Sequence, residues 1–129
     1  MKSLLLIFFS ILAICYAACD KAELNTRPAA EEELRQLHTA IQALTNKTPC
    51  TDPAQWDFTA LGSKACGGPA SYIAYPKNSE TQHFLNLVER FTEAQLAFNK
   101  KYGTISDCML VMPPSGIRCE NNRPVFINP

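Results

Sequence analysis

The stretch SETQHFLNLVERFTEAQLAFNKKYG, Ser79 to Gly103, decides the fold. Phe84, Val88, Phe91, Phe98 and Tyr102 recur at three-, four- and seven-residue steps, with Leu87 and Ala94 alongside, so one face of a helix is apolar. Ser79 and Gln82 stand at capping-box spacing, which would satisfy two orphan amides reciprocally. Gly103 is the residue type that closes a helix in the left-handed conformation. A helix over 79–102 is therefore predicted, with its aromatics as the main core ridge. A cofactor or lipid cavity along that ridge is the less economical reading.

Working outward, Leu34, Leu37, Ile41 and Leu44 form a second, narrower stripe and predict a helix over 28–47. Glu31, Glu32 and Glu33 crowd its start, where negative charge meets the helix dipole, and Thr48-Pro49 ends it. Between the helices, 56–61 and 71–75 are short strand candidates on either side of Gly67-Gly68-Pro69. After the second helix, Cys108 to Met112 reads as a better strand, halted by Pro113-Pro114. Ile117 to Cys119 and Val125 to Ile127 follow, with a turn at Asn121-Asn122. The fold class expected is α+β: a short antiparallel β-meander packed against one long amphipathic helix, plus an N-terminal helix and two disulfides.

With 47% hydrophobic and 19% charged residues, this is globular composition and not that of a disordered chain. Twelve basic and twelve acidic side chains balance, and no basic cluster stands out, so nucleic acid is not an expected partner.

Met1-Lys2-Ser3 precedes an apolar run from Leu4 to Ala18, too short for a comfortable membrane span. Small residues lead to Cys19 and then Asp20-Lys21, which reads as a secretory signal over 1–18. Ala17-Ala18-Cys19 resembles a bacterial lipobox, with Tyr16 where that motif usually carries Leu. Cys19-Asp20-Lys21 looks like the start of many Bacteroidota lipoproteins. Cys19 is then the site of lipid attachment, and acyl chains such as palmitate anchor the protein to the cell envelope, at the outer membrane by preference. The alternative is an ordinary signal-peptidase cut that releases a small secreted protein. Residues 19–27 would be a linker spanning under about 30 Å even fully extended, and 28–129 a single small domain. Asn46-Lys47-Thr48 is a glycosylation sequon followed by Pro49, so a eukaryotic secreted origin stays open.

Six cysteines are present. Removing Cys15 with the signal and Cys19 to lipid leaves Cys50, Cys66, Cys108 and Cys119, an even set that reads as two disulfides in an exported chain. Three connectivities are open; Cys66 with Cys108 and Cys50 with Cys119 is the preferred one. No Cys-x-x-Cys or His at ligand spacing accompanies them, so neither a redox role nor a metal is expected, and no cofactor is implied.

His38 and His83 are the only histidines, and no local motif joins them to a nucleophile and an orienting acid, so an enzyme is not expected. Cys66-Gly67-Gly68-Pro69 reads as a tight turn beside a disulfide, with Tyr72 and Tyr75 beyond it as candidate binding residues. Met112 to Arg118 lies between two cysteines, and Pro113, Pro114, Ile117 and Arg118 are the remaining candidates for binding. Such a stiff loop loses little entropy on association and would suit an inhibitor of a protease or another hydrolase. A plain hairpin connection is the simpler reading.

Taken together, Gly62-Ser63-Lys64-Ala65-Cys66-Gly67-Gly68-Pro69, Tyr72 with Tyr75, Phe98-Asn99, Gly103, Ser106-Asp107-Cys108, Pro113-Pro114 and Cys119 resemble a family of small exported bacterial proteins. Some relatives carry a further cysteine pair. Trp56 and Pro124 occupy those places here, which implies packing where a third bridge would be. The resemblance implies no activity and no catalytic residue. The expectation is an envelope lipoprotein serving as a non-catalytic binding or structural module, held to the membrane by its lipid and open to an unidentified protein partner.

Overall fold

The computed structural model describes residues 26–128, so the leader and Cys19 lie outside the described residues. The order is α1 (Arg27–Asn46), β1 (Trp56–Ser63), β2 (Pro69–Pro76), α2 (Thr81–Tyr102), β3 (Gly116–Glu120) and β4 (Arg123–Ile127), with a single 3₁₀ turn at Pro53–Gln55 before β1. The class is α+β with two disulfides, Cys50–Cys119 and Cys66–Cys108.

Helix α1 opens at Arg27, where Thr26 Oγ1 accepts from the Ala29 amide at 3.4 Å. The acidic triplet consequently starts one turn in from the terminus, and no acidic residue occupies the first turn. Its expected service to the helix dipole is weak, because that effect falls off within one turn. Arg27 Nε instead holds Glu31 at 2.9 Å, an exposed i,i+4 pair. Leu37 and Ile41 are buried as the stripe predicts, with Leu34 and Leu44 packed beside them.

Helix α2 starts at Thr81, two residues later than predicted, and Ser79 and Gln82 form no capping box. No side chain caps the helix; Asn78 and Thr81 instead fix the turn that leads into it. Thr81 Oγ1 accepts from the Asn78 amide at 2.9 Å and donates to the Pro76 carbonyl at 3.2 Å, and Asn78 Oδ1 accepts from the Glu80 amide. At the other end Gly103 closes the helix at φ +59°, its amide donating to the Asn99 carbonyl, with Lys100 and Lys101 in the last turn.

The predicted meander is in fact two separate two-stranded antiparallel sheets, β1–β2 and β3–β4. Trp56 pairs with Pro76 and Ser63 with Pro69, so both strands run longer than the apolar pattern suggested. The side-chain period of two explains the layering. From β1–β2, Leu61, Ile73 and Tyr75 face the helices and join Leu37, Ile41, Phe84, Leu87, Val88 and Phe91 in the main core. Trp56 and Ala74 point the other way and pack with Cys50, Ile117, Cys119 and Phe126. Phe58 bridges to the second hairpin by edge contact with Phe126 at 6.1 Å. The result is three layers: helices, first hairpin, second hairpin. Asn121 and Asn122, both at positive φ, make the tight turn of β3–β4 as expected.

The strand predicted over Cys108 to Met112 does not form; 104–114 is irregular and crosses the surface. Cys108 sits at φ +53°, outside the extended region.

Ile41 is fully buried at the helix–hairpin contact. Ile41→Ala is expected to lower stability by about 2–5 kcal/mol, read as a drop in the urea midpoint with the slope unchanged.

Candidate functional site

Thr92, Gln95 and Asn99 share one face of α2 by their three- and four-residue spacing. They collect backbone groups where β1 leaves its hairpin. Thr92 Oγ1 accepts from the Gly62 amide at 3.1 Å, Gln95 Oε1 from the Ser63 amide at 2.8 Å, and Asn99 Nδ2 donates to the Ser63 carbonyl at 2.7 Å. Thr104 Oγ1 donates to Asn99 Oδ1 at 2.6 Å and carries the row past the helix end. Only glycine suits position 62: φ is +73°, and a Cβ there would lie 2.1 Å from Gln95 Oε1.

This polar row floors an open groove of about 510 Å³, lined among others by Ser63, Lys64, Gln95, Asn99, Ile105 and Asp107. Lys64 is its central charge. Its side chain is 15% exposed against 62% for Asp107, whose Oδ1 it reaches at 2.7 Å. The same Nζ donates to the Met109 carbonyl at 2.7 Å. Asp107 Oδ1 also accepts from the Met109 amide at 3.2 Å. The hydrogen bond from Lys64, then that from the Met109 amide, holds the Asp107 carboxyl below its ordinary range.

Above this latch rides the strap 104–114, fastened by Cys66–Cys108. Four of its apolar side chains lie in solvent: Ile105 is 99% exposed, Leu110 78%, Met109 68% and Met112 58%, while Val111 is half-buried. Four large apolar side chains on one covalently held segment form the most distinctive surface feature described. Scattered exposed apolar residues are ordinary; four of them on one short segment make it a candidate contact surface.

The sequence-predicted site residues divide sharply. Tyr75 is not available for binding: it is buried and stacked on Phe84 with ring centroids 4.9 Å apart. Burial, then the charge of Asp57 across the ladder, raises its phenol above the ordinary value. Tyr72 is half-buried, edge-on to Phe58 between layers. Ile117 belongs to strand β3 and packs in the second core cluster, not in a presented loop. Arg118 is exposed and paired with Glu120 at 2.6 Å. Pro113 is exposed and Pro114 half-buried at the end of the strap. The disulfides follow the preferred connectivity. Cys19 lies outside the described residues.

His38 is half-buried with its ring 5.7 Å from Phe91, so it is not a solvated surface residue, whereas His83 is exposed. Neither lines the groove. Among the described residues no group of three His, Cys, Asp or Glu could hold a metal ion, and no helix is long and apolar enough to cross a membrane. The two disulfides are those of a chain that folds in an oxidising compartment.

Sequence reasoning missed Lys64, the α2 polar row and the crest of the strap. The Lys64 partner, Asp107, lies 43 positions away, and no local pattern joins them.

Comparison with protein-family models, with curated proteins and with solved structures returns no match.

Two outcomes follow from this geometry. Cys66 and Cys108 are exposed while Cys50 is buried. Graded reduction with a dithiol, followed by alkylation and mass spectrometry, is expected to label Cys66 and Cys108 first. The Asp107 carboxyl is depressed below 3.8, so its contribution is complete above that value and lost as pH falls through the folded value. Hydrogen exchange at the strap of the wild type should therefore converge on that of Asp107→Asn in acid, while the two differ at neutral pH.

Proposed function

We propose that this chain is an exported envelope lipoprotein, fastened through Cys19, that acts as a non-catalytic binding module, with the strap 104–114 as its binding element. One observation carries the reading: Ile105, Met109, Leu110 and Met112 stand in solvent on a segment pinned by a disulfide and by Lys64. Exposing them is unfavourable by about 1.5–3 kcal/mol for each side chain that burial would cover fully. The pinning means little ordering entropy is lost when they are covered. The leader ahead of Cys19 and the two disulfides support export.

An inhibitory loop over 112–118 is less well supported. Ile117 faces inward and Arg118 is engaged by Glu120, so the two side chains best suited to enter a protease pocket are committed elsewhere.

Intact mass spectrometry of the membrane fraction from the native host tests the reading. The expected mass begins at Cys19, carries acyl chains there and lacks four hydrogen atoms for the two disulfides. Recovery of a soluble chain with Cys19 unmodified overturns the tether. A Met109→Ser, Leu110→Ser variant that keeps every surface association of the wild type overturns the strap as the binding element.

A further inference from the structure

We propose that Cys66–Cys108 is a redox latch: an external dithiol opens it reversibly, and the strap 104–114 then leaves the groove while Cys50–Cys119 keeps the body of the fold closed. The missing Cys-x-x-Cys argues against this chain as a thiol oxidoreductase. A bond that such a reagent acts upon needs no motif, only access.

Access divides the two bridges. Cys50 is 2% exposed inside the second core cluster, and Cys119 packs against that cluster. Cys66 and Cys108 are both exposed. Gly67 and Gly68 follow Cys66, and nothing beyond the chain neighbours lies within 4 Å of where a Cβ would stand at either. An attacking thiolate needs a clear approach to one sulfur, and these two residues put no side chain in its way. The exchange balances. A thiolate of the dithiol bonds to Cys66 Sγ, the Cys66–Cys108 bond breaks, and Cys108 leaves as a thiolate that takes up a proton. The second thiol of the dithiol, losing its own proton, displaces Cys66 in turn. The reagent ends as a disulfide and the protein as two thiols, two electrons and two protons having passed to it.

The ties of the strap define what the bond controls. Thr104 fixes its start, the amide donating to the Asn99 carbonyl and the hydroxyl to Asn99 Oδ1. Ser115 fixes the far side, its amide donating to the Ile127 carbonyl at 2.8 Å. Between those points, the hydrogen bonds, ion pairs and disulfides that cross from the strap to another element, among the described residues, all end on Lys64 or Cys66. Cys108 itself stands at φ +53°, a backbone state that a non-glycine residue keeps only under constraint. Severing the bond frees it to return to the extended region and leaves Lys64 alone to hold the segment. That hold is weak, because Asp107 is largely exposed and the pair is screened by salt. Thr104 to Asp107 line the groove together with Ser63, Gln95 and Asn99, so a departing strap removes one wall. Lys64 then loses both of its partners at once. The latch depends on these contacts alone; it asks nothing of Cys19 and no partner for the strap.

The test uses the full chain as its host processes it, equilibrated in dithiothreitol of graded concentration. After removal of the dithiol, thiols are located by alkylation, and a brief pulse of an amine-acylating reagent is read by peptide mass spectrometry. Lys77, exposed between β2 and α2, is the internal reference. Opening of Cys66–Cys108 is expected to raise acylation of Lys64 relative to Lys77 several-fold, and oxidised dithiothreitol should restore the original ratio. Emission from Trp56, which shares its cluster with Cys50 and Cys119, should stay unchanged throughout. A Cys66→Ser, Cys108→Ser variant should show the raised ratio without any dithiol, and the wild-type measurement decides by itself if that variant misfolds. A ratio that does not move when the bond is open, or does not return on reoxidation, overturns the latch. So does a change in Trp56 emission and thiols at Cys50 and Cys119 that appear in step with those at Cys66 and Cys108, since the bridge would then be a staple of the whole fold.

Discussion

A two-stranded hairpin is marginal in water by itself, and this protein is built around one that survives because both of its faces are covered. Odd-numbered positions of β1–β2, such as Leu61, Ile73 and Tyr75, bury themselves against α1 and α2. The even-numbered Trp56 and Ala74 bury themselves against the second hairpin. Remove either cover and the remaining sheet has an apolar face in solvent and no third strand to hold it. The disulfides reinforce this arrangement at its two ends. Cys50–Cys119 joins the start of the first hairpin to the second, and Cys66–Cys108 joins its turn to the strap. In the chain-entropy limit each loop closure is worth about 4 kcal/mol, a large share of the stability of a small domain.

The helices were legible because their information is local and periodic. Phe84, Leu87, Val88 and Phe91 are buried where the 3.6-residue pattern places them, and Gly103 adopts the left-handed conformation that a helix end calls for. Helix starts were less so: the Thr81 hydroxyl ties the first helical residue to the Pro76 carbonyl, a contact that depends on where β2 ends, and no side chain caps the helix. The strand reading of Cys108 to Met112 failed for a different reason. Apolar residues in a row look alike whether a sheet edge is waiting for them or not, and here none is. Covalent attachment to Cys66 and capture by Lys64 settle that segment's path, and both partners lie more than forty positions away in the chain.

The candidate site shows the same division. Tyr75 and Ile117 were plausible binders as residue types, yet register alone sends them inward. Cysteine parity, which needs no geometry, pointed correctly to two bridges. The crest emerges only when the missing strand is recognised as a surface feature, because its four apolar side chains then need a reason to be wet.

The order of the bridges along the chain has a practical consequence for anyone following this protein through a proteolytic environment. Cys66–Cys108 is nested inside Cys50–Cys119, and the strap's outer half runs between Cys108 and Cys119. A nick anywhere from Met109 to Arg118 leaves two fragments still stapled together through Cys50. On a non-reducing gel the clipped molecule would migrate with the intact one, and loss of the crest would pass as full-length protein until a thiol was added.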